Sequence, residues 1–321
     1  MMTDNFLYYT AAAFAVCVNA FTVGIGQALT SMAALRAINI QPESRTEINK
    51  TMLFGMALIE TTAVLGLFIA MIILSSAPTK ISYSFDGFTR IAMACAICLP
   101  GLALGIASAF PAQAACLAIA RQPFYAQKIM RFMMISISLI QTPVIFGFIV
   151  SLIMQSQGDI ASWRDVLRII ASGLAIGLGS IGPAIGLGMF IQKSCTAMGI
   201  NRKAYDNLFS YTLIRIAVIE TPLIFALIIS LVLLFITPLS VGDDILQGIA
   251  FLCAGITVGI GTFGGSMSSA RTAASAASQI ALNPSATSLL SQTSMLGQGV
   301  IEASVIYPTI IALFLIFFGI Q

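Results

Sequence analysis

The sequence predicts an all-α membrane protein with eight transmembrane helices arranged as four tandem helical hairpins. Three observations lead to this fold class. Of the 321 residues, 58% are hydrophobic and only 8% are charged, the mean hydropathy is +0.99, and one short motif occurs four times at nearly equal spacing. Soluble domains usually contain about 25% charged residues, so this composition excludes an ordinary soluble domain.

Eight apolar stretches are long enough to cross a membrane, because a bilayer core about 30 Å thick needs roughly 20 apolar residues per helix. An even number of spans places both termini on one side. The opening MMTDNFLYYT has no Lys or Arg, unlike a secretory signal peptide, so we expect the first span to be retained. The stretches are 9–35, 51–75, 91–119, 129–155, 168–192, 207–236, 245–268 and 295–319.

The repeated motif is an apolar stretch with one polar residue at its centre. It reads MALIETTAV, SLIQTPVIF, AVIETPLIF and GVIEASVIY, and the central residues are 81, 79 and 82 positions apart. Each lies 18 residues after a turn position, and the four pairs are Pro42 and Glu60, Pro123 and Gln141, Arg202 and Glu220, and Pro284 and Glu302. This spacing predicts four hairpins, at 1–79, 80–157, 158–238 and 239–321.

The first helix of each predicted hairpin is rich in small residues, as in TVGIGQALTSMAA (22–34) and IGLGSIGPAIGLGM (176–189). Small residues let helix backbones approach closely in lipid, where no hydrophobic force drives association. Four such helices, each followed by a polar residue at matched distance, favour a ring or barrel of closely packed first helices.

Basic residues predict the orientation, because Lys and Arg concentrate on the cytoplasmic side of membrane proteins. We therefore expect the four hairpin turns to be cytoplasmic and the termini to lie on the opposite side. The turns hold Arg36, Arg45, Lys50, Arg121, Lys128, Arg131, Lys193, Arg202, Lys203 and Arg271, whereas the other connectors hold Lys80, Arg90, Arg164 and Arg168.

Several function classes have little support. The sequence pI is about 8.6 without a clustered basic run, which argues against a nucleic-acid partner. The one CxxC, Cys95 to Cys98, lies in an apolar helix of a chain with no His, so packing is favoured over a metal or redox role. There is no G-x-x-x-x-G-K-[ST] nucleotide motif. We expect no bound cofactor and no catalytic activity in this chain.

The first hairpin carries GIGQALTSMAALRAI, a turn at Gln41 and Pro42, and TMLFGMALIETTAVLGLFIAMIIL. This pairing of a glycine-rich helix with a carboxylate midway along the next helix resembles the c subunits of rotary F-type ATP synthases. These proteolipids form the membrane rotor ring. The second hairpin keeps the Arg-Gln-Pro turn of the family as Arg121, Gln122 and Pro123. The usual family member is one hairpin, whereas four are fused here.

The resemblance implies a non-catalytic rotor protein that forms a ring with other copies of itself, in contact with lipid, the a subunit of the stator and the central stalk. Such a chain would lie in a bacterial inner membrane or its equivalent. By resemblance the stalk grips the hairpin turns. The turn residues that we assign to this contact are Gln41, Pro42, Arg121, Gln122, Pro123, Asn283 and Pro284.

The resemblance also implies a mechanism in which Glu60, Glu220 and Glu302 carry Na⁺ or H⁺ past the stator. A lipid-facing carboxylate must be neutralised by a proton or a cation, because burial disfavours the charged form. Gln141 is the equivalent that cannot ionise. We expect three carriers per four hairpins, a lower ion-to-ATP ratio and suitability for ATP-driven pumping.

The choice of ion stays open. Na⁺ prefers oxygen ligands, and the combination of Glu60, Gln27 and Thr61 resembles the sodium-binding type, with Thr62 adjacent. A protonated Glu could also donate to these oxygens. Further supporting residues are Thr221, Ser304 and Tyr307, and the positions equivalent to Gln27 in hairpins 2, 3 and 4 are Ser108, Leu187 and Ser269.

Two alternatives remain from the sequence. One is a vacuolar-type proteolipid of an ion-pumping ATPase, which would also form a ring. The other is a self-contained secondary transporter built from repeats, although such repeats are usually inverted around one central site. Arg215 has no assigned partner: it lies five residues before Glu220, so on a helix it points about 140° away from that carboxylate.

Overall fold

The computed structural model describes residues 4–78, 85–157, 160, 162–236 and 244–318. Within them are eight helical spans long and apolar enough to cross a membrane, which confirms the predicted fold class. The helices are α1 (Asp4–Ile40), α2 (Arg45–Ser75), α3 (Asp86–Ala107), α4 (Ala109–Arg121), α5 (Ala126–Ile140), α6 (Thr142–Gln155), α7 (Trp163–Ile200), α8 (Tyr205–Phe235), α9 (Asp244–Leu282) and α10 (Thr287–Phe318).

The helical spans are longer than the predicted apolar stretches, because each continues past the apolar core to the turn. Spans three and four are each interrupted once, at Ser108 between α3 and α4 and at Gln141 between α5 and α6. Pro143 closely follows the second interruption. The predicted hairpin boundaries at 79/80 and 238/239 and the basic residue Lys80 lie outside the described residues.

All four turns have the same backbone. An extended residue with φ between −131° and −138° precedes a single turn of 3₁₀ helix, which starts at Pro42, Pro123, Arg202 or Pro284. Proline favours this extended conformation in the residue before it. At the third turn, which lacks proline, the side chain of Asn201 accepts a hydrogen bond from the Lys203 amide instead (3.0 Å). The predicted equivalence of Arg202 with the three prolines is therefore confirmed.

The hairpins pack side by side in two layers. The first helices form one row in the order α1, α3/α4, α7, α9. Every second helix packs against the first helix of its own hairpin, and those of hairpins 1 to 3 also pack against the first helix of the next hairpin. In spans three and five, 72% of the most apolar 18-residue segment is buried, against 33% in span one and 22% in span eight. Hairpins 1 and 4 are thus the two open ends of the row.

Close backbone contact holds the first-helix layer together. A Cβ atom on Gly26 would collide with the carbonyl oxygen of Gly105, and one on Gly188 would lie 2.5 Å from the carbonyl oxygen of Ala107. Any larger residue would push the hairpins apart, which explains the small residues along these helices.

The second helices present large apolar side chains outward, including Phe68 on α2 (54% exposed) and Phe314 on α10 (53% exposed). An apolar surface of this extent is expected where a protein faces lipid. The chain is an integral, multi-pass membrane protein.

Candidate functional site

The four central polar residues lie at one level of the second helices. Eighteen residues of helix correspond to about 27 Å from the turn, which is near the middle of each span. Their exposure differs: Glu60 is exposed, Glu220 and Glu302 are half-buried, and Gln141 is buried with 6% of its surface exposed.

Gln141 lies in a complete hydrogen-bond site between hairpins 1 and 2. Its carbonyl oxygen accepts from the Thr62 hydroxyl (3.1 Å), and its amide nitrogen donates to the Leu58 carbonyl (3.2 Å) and the Ser108 hydroxyl (3.4 Å). Because its polar groups are satisfied, this amide can remain in the membrane at little cost.

The Gln141 site shows which helices surround the central residue of a hairpin. Leu58 and Thr62 lie two residues before and after Glu60 on the preceding hairpin, and Ser108 occupies the position equivalent to Gln27 on the first helix of the same hairpin. The central residue of one hairpin therefore faces its own first helix and the second helix of the preceding hairpin.

Glu220 occupies the corresponding position between hairpins 2 and 3. The Thr142 side chain, from the preceding hairpin, lies beside its carboxyl group. The Gln27 position is here the fully buried, apolar Leu187. Oxygen Oε1 of Glu220 is buried and has no hydrogen-bond partner among the described residues, so the carboxylate has a free ligand atom where the Gln141 amide has none.

Glu302 lies between hairpins 3 and 4, and its Oε1 is also buried without a partner in the described part of the chain. One helical turn before it, Gln298 is fully buried and accepts a hydrogen bond from Arg215 (3.2 Å). Arg215 itself is 2% exposed. Arg215 thus contacts the second helix of the next hairpin, where Gln298 lies.

Glu60 lies on the open side of hairpin 1, and no described side chain forms a hydrogen bond with its carboxylate. Gln27 donates to the Met56 carbonyl (3.4 Å), and the exposed Thr61 hydroxyl donates to the Leu58 carbonyl (2.7 Å). Thr62 belongs to the Gln141 site instead. The structure thus separates Thr62 from the set of residues predicted around Glu60.

The other predicted supporting residues are directed at their own helices or outward. The hydroxyl of Thr221 donates to the Ala217 carbonyl (3.3 Å), and that of Ser304 donates to the Ile301 carbonyl (2.6 Å). Tyr307 is 68% exposed. None of the three forms a hydrogen bond to a carboxylate among the described residues, and their role stays a prediction.

The residues predicted to contact the stalk all lie at the surface of the turns. Each of Gln41, Pro42, Arg121, Gln122, Pro123, Asn283 and Pro284 is exposed or half-buried. The neighbouring Phe124 is 95% exposed and was not singled out from the sequence, although a large apolar residue after Arg-Gln-Pro could have indicated it.

Comparison with known families accounts for this arrangement. The family model of the ATP synthase C subunit matches residues 10–73, 91–154 and 170–233, which lie in hairpins 1, 2 and 3. The chain belongs to the ATP synthase C-subunit family. Hairpin 4, with the same turn and the same central glutamate, is a further copy of this unit by its structure.

Individual relatives of this four-hairpin proteolipid have the length of a single hairpin. The ATP synthase c subunit of Dehalococcoides mccartyi is 43% identical over 72 residues, which are 22% of this chain and 95% of the relative. The ATP synthase c subunit of Chloroflexus aurantiacus is 36% identical over 69 residues, covering 22% of this chain and 91% of the relative. That of Syntrophobacter fumaroxidans is 33% identical over 89 residues, covering 27% and 97%.

Proposed function

We propose that this four-hairpin proteolipid is a non-catalytic rotor-ring chain of a rotary ATP synthase or ATPase, in which Glu60, Glu220 and Glu302 carry Na⁺ or H⁺ past the stator. The observation that supports this most is the difference between the amide and the carboxylate positions. Gln141 forms three hydrogen bonds, whereas Glu220 and Glu302 each have a buried oxygen without a partner among the described residues. Such an oxygen needs a proton or a cation.

The ring would be closed by further copies of the chain, because its two ends complement each other. Gly105 in hairpin 2 packs against Thr22 in hairpin 1. The equivalent pair across the open ends is Gly24 of one copy and Gly264 of the preceding copy. A Cβ on either glycine would have no heavy atom within 4 Å in this chain, so both have room for a neighbour.

The same repeat geometry completes the Glu60 site at this joint. The places that Leu58 and Thr62 take beside Gln141 correspond to Val300 and Ser304 of the preceding copy. Val300 is 77% exposed and Ser304 is exposed. Glu60 and Gln27 of one copy would thus meet a carbonyl and a hydroxyl of the preceding copy, which supply oxygen ligands for either ion.

The orientation that we propose places the four turns in the cytoplasm, where they contact the central stalk. The excess of Lys and Arg near the turns supports this. Four hairpins in parallel orientation within two layers favour a rotor over a self-contained transporter, whose repeats usually surround one central site. A vacuolar-type assembly would use the same carriers with different partner proteins.

Carbodiimide labelling of the membrane-embedded protein, mapped by peptide mass spectrometry, tests the carriers. We expect Glu60, Glu220 and Glu302 to be labelled, while the exposed turn residue Glu43 serves as a reference for non-specific reaction. Protection by NaCl at fixed pH would indicate Na⁺, and protection only by raised pH would indicate H⁺. Absence of labelling at all three glutamates would contradict the proposal.

A further inference from the structure

Arg215 is a buried cation at the interface between hairpins 3 and 4. Its Nη2 donates to the backbone and side-chain oxygens of Ser291 (2.9 Å each), and its Nη1 donates to Gln298 Oε1 (3.2 Å). The guanidinium carbon lies 5.2 Å from the centre of the Tyr211 ring. Arg215 forms no ion pair with a described carboxylate, so neutral groups alone hold the charge.

Tyr211 is fixed in the same cluster. Its hydroxyl lies 2.9 Å from Ser294 Oγ and donates to the Ala273 carbonyl (3.2 Å). The cluster therefore joins α8, α9 and α10, and its polar groups face inward between the helices. Burying a charge at this depth costs free energy, and charged residues within membrane spans usually mark functional positions.

Gln298 connects this cluster to the ion position. It lies four residues before Glu302 on α10, so both side chains are on one face of the helix and about 6 Å apart along the axis. Its amide nitrogen donates to Ser269 Oγ (2.9 Å) and to the Ser269 carbonyl (3.2 Å). Ser269 occupies the position equivalent to Gln27.

Hairpins 1 and 4 each have a glutamine that joins their two helices, but it lies on the first helix in hairpin 1 and on the second helix in hairpin 4. In hairpin 1, Gln27 on the first helix donates to the backbone of Met56 on the second helix. In hairpin 4, the equivalent of Met56 is Gln298, which donates back to Ser269. The amide oxygen of Gln27 receives no hydrogen bond from a described residue, whereas that of Gln298 is bound by Arg215.

This difference bears on the choice of ion. Na⁺ needs several oxygen ligands, and at Glu302 the neighbouring amide oxygen is occupied by a guanidinium. A proton needs only the carboxylate itself.

We propose that Arg215 is a specificity-determining residue that closes the Glu302 site to Na⁺ and leaves it open to H⁺. This inference rests on the proposed role of Glu302 as an ion carrier. Because all carriers of a rotor pass the same stator, a ring with one site closed to Na⁺ runs on protons.

The test compares carbodiimide labelling of Glu302, with and without NaCl at fixed pH, in the assembled wild-type ring and in the Arg215→Met variant. We expect NaCl to leave the labelling rate of wild-type Glu302 unchanged and to slow it severalfold in Arg215→Met. Arg215→Lys, which keeps the charge, should restore insensitivity to NaCl. Arg168→Met, which removes a buried arginine away from the glutamate level, is the matched control.

Protection of wild-type Glu302 by NaCl would overturn the inference, and so would an Arg215→Met variant that stays insensitive to NaCl. If Arg215→Met does not assemble, Arg215→Gln provides the same comparison with a polar side chain. Absence of any label at Glu302 in every variant is a different result: it would remove the proposed carrier role itself.

Discussion

The interface between hairpins 1 and 2 differs from the interface between hairpins 3 and 4 at the same repeat position. In the first, Gln141 has three hydrogen-bond partners and no charge to lose. In the second, Glu302 keeps a buried oxygen without a partner among the described residues. The same repeat position therefore holds a fully bonded amide in one hairpin and, within the described part of the chain, a carboxylate with an unpartnered oxygen in another. Under the proposed function, the amide stabilises the contact between hairpins and the carboxylate carries an ion.

Replacing a central glutamate by glutamine should have the largest effect on ion transport. We expect Glu220→Gln to reduce ATP-driven ion transport by more than an order of magnitude, because two successive hairpins would then pass the stator without exchanging an ion. Transport into vesicles, with ring assembly checked on native gels, measures this. Glu47→Gln at the turn is the matched control. Transport at the wild-type rate in Glu220→Gln would show that the carboxylate is not a carrier.

Linking the two ends of the row should convert most of the protein to covalent multimers. In a background without the six native cysteines, oxidation of Gly24→Cys with Gly264→Cys should join separate chains into multiples of 33.9 kDa. A disulfide requires Cα atoms about 4.4–6.8 Å apart, so only facing residues react.

Non-reducing gels measure this product, and Gly24→Cys with Gly299→Cys is the control pair. Gly299 is equally open in this chain but lies on a second helix. Equal cross-linking of the two pairs would argue against the proposed register of the joint.

Replacing Gln141, whose amide has three hydrogen-bond partners, should lower the stability of the protein and leave ion transport unchanged. Gln141→Leu loses three hydrogen bonds and leaves the Thr62 and Ser108 hydroxyls to find other partners. We expect the free energy of unfolding to fall by about 1–3 kcal/mol, seen as a lower unfolding temperature in detergent. Gln292→Leu, at an exposed position of α10, should change little. Loss of transport in Gln141→Leu with unchanged stability would contradict the stabilising role of Gln141.

The sequence predicted the features that depend on local pattern. Eight apolar stretches, four equally spaced turns and the equivalence of Arg202 with three prolines follow from hydropathy and spacing alone, and the structure confirms them. The carboxylates stood out because ionisable groups are expensive within apolar helices.

The contacts between hairpins could not be predicted in this way. Thr62 was grouped with Glu60 because they are close in sequence, but residues two apart on a helix point about 200° apart. Its partner is instead Gln141 of the next hairpin. Arg215 and Gln298 are 83 residues apart in sequence, and no pattern within one hairpin indicates that they meet.

The most direct test of the central claim is the ion-to-ATP ratio of the Gln141→Glu variant. Because the number of carriers per chain rises from three to four, the ratio should rise by about one third, whatever the number of copies in the ring. The ratio is obtained from the ion-motive force at which ATP-driven transport stops. That increase, with Glu at position 141 labelled by carbodiimide, is the predicted result. An unchanged ratio despite this label would contradict the account.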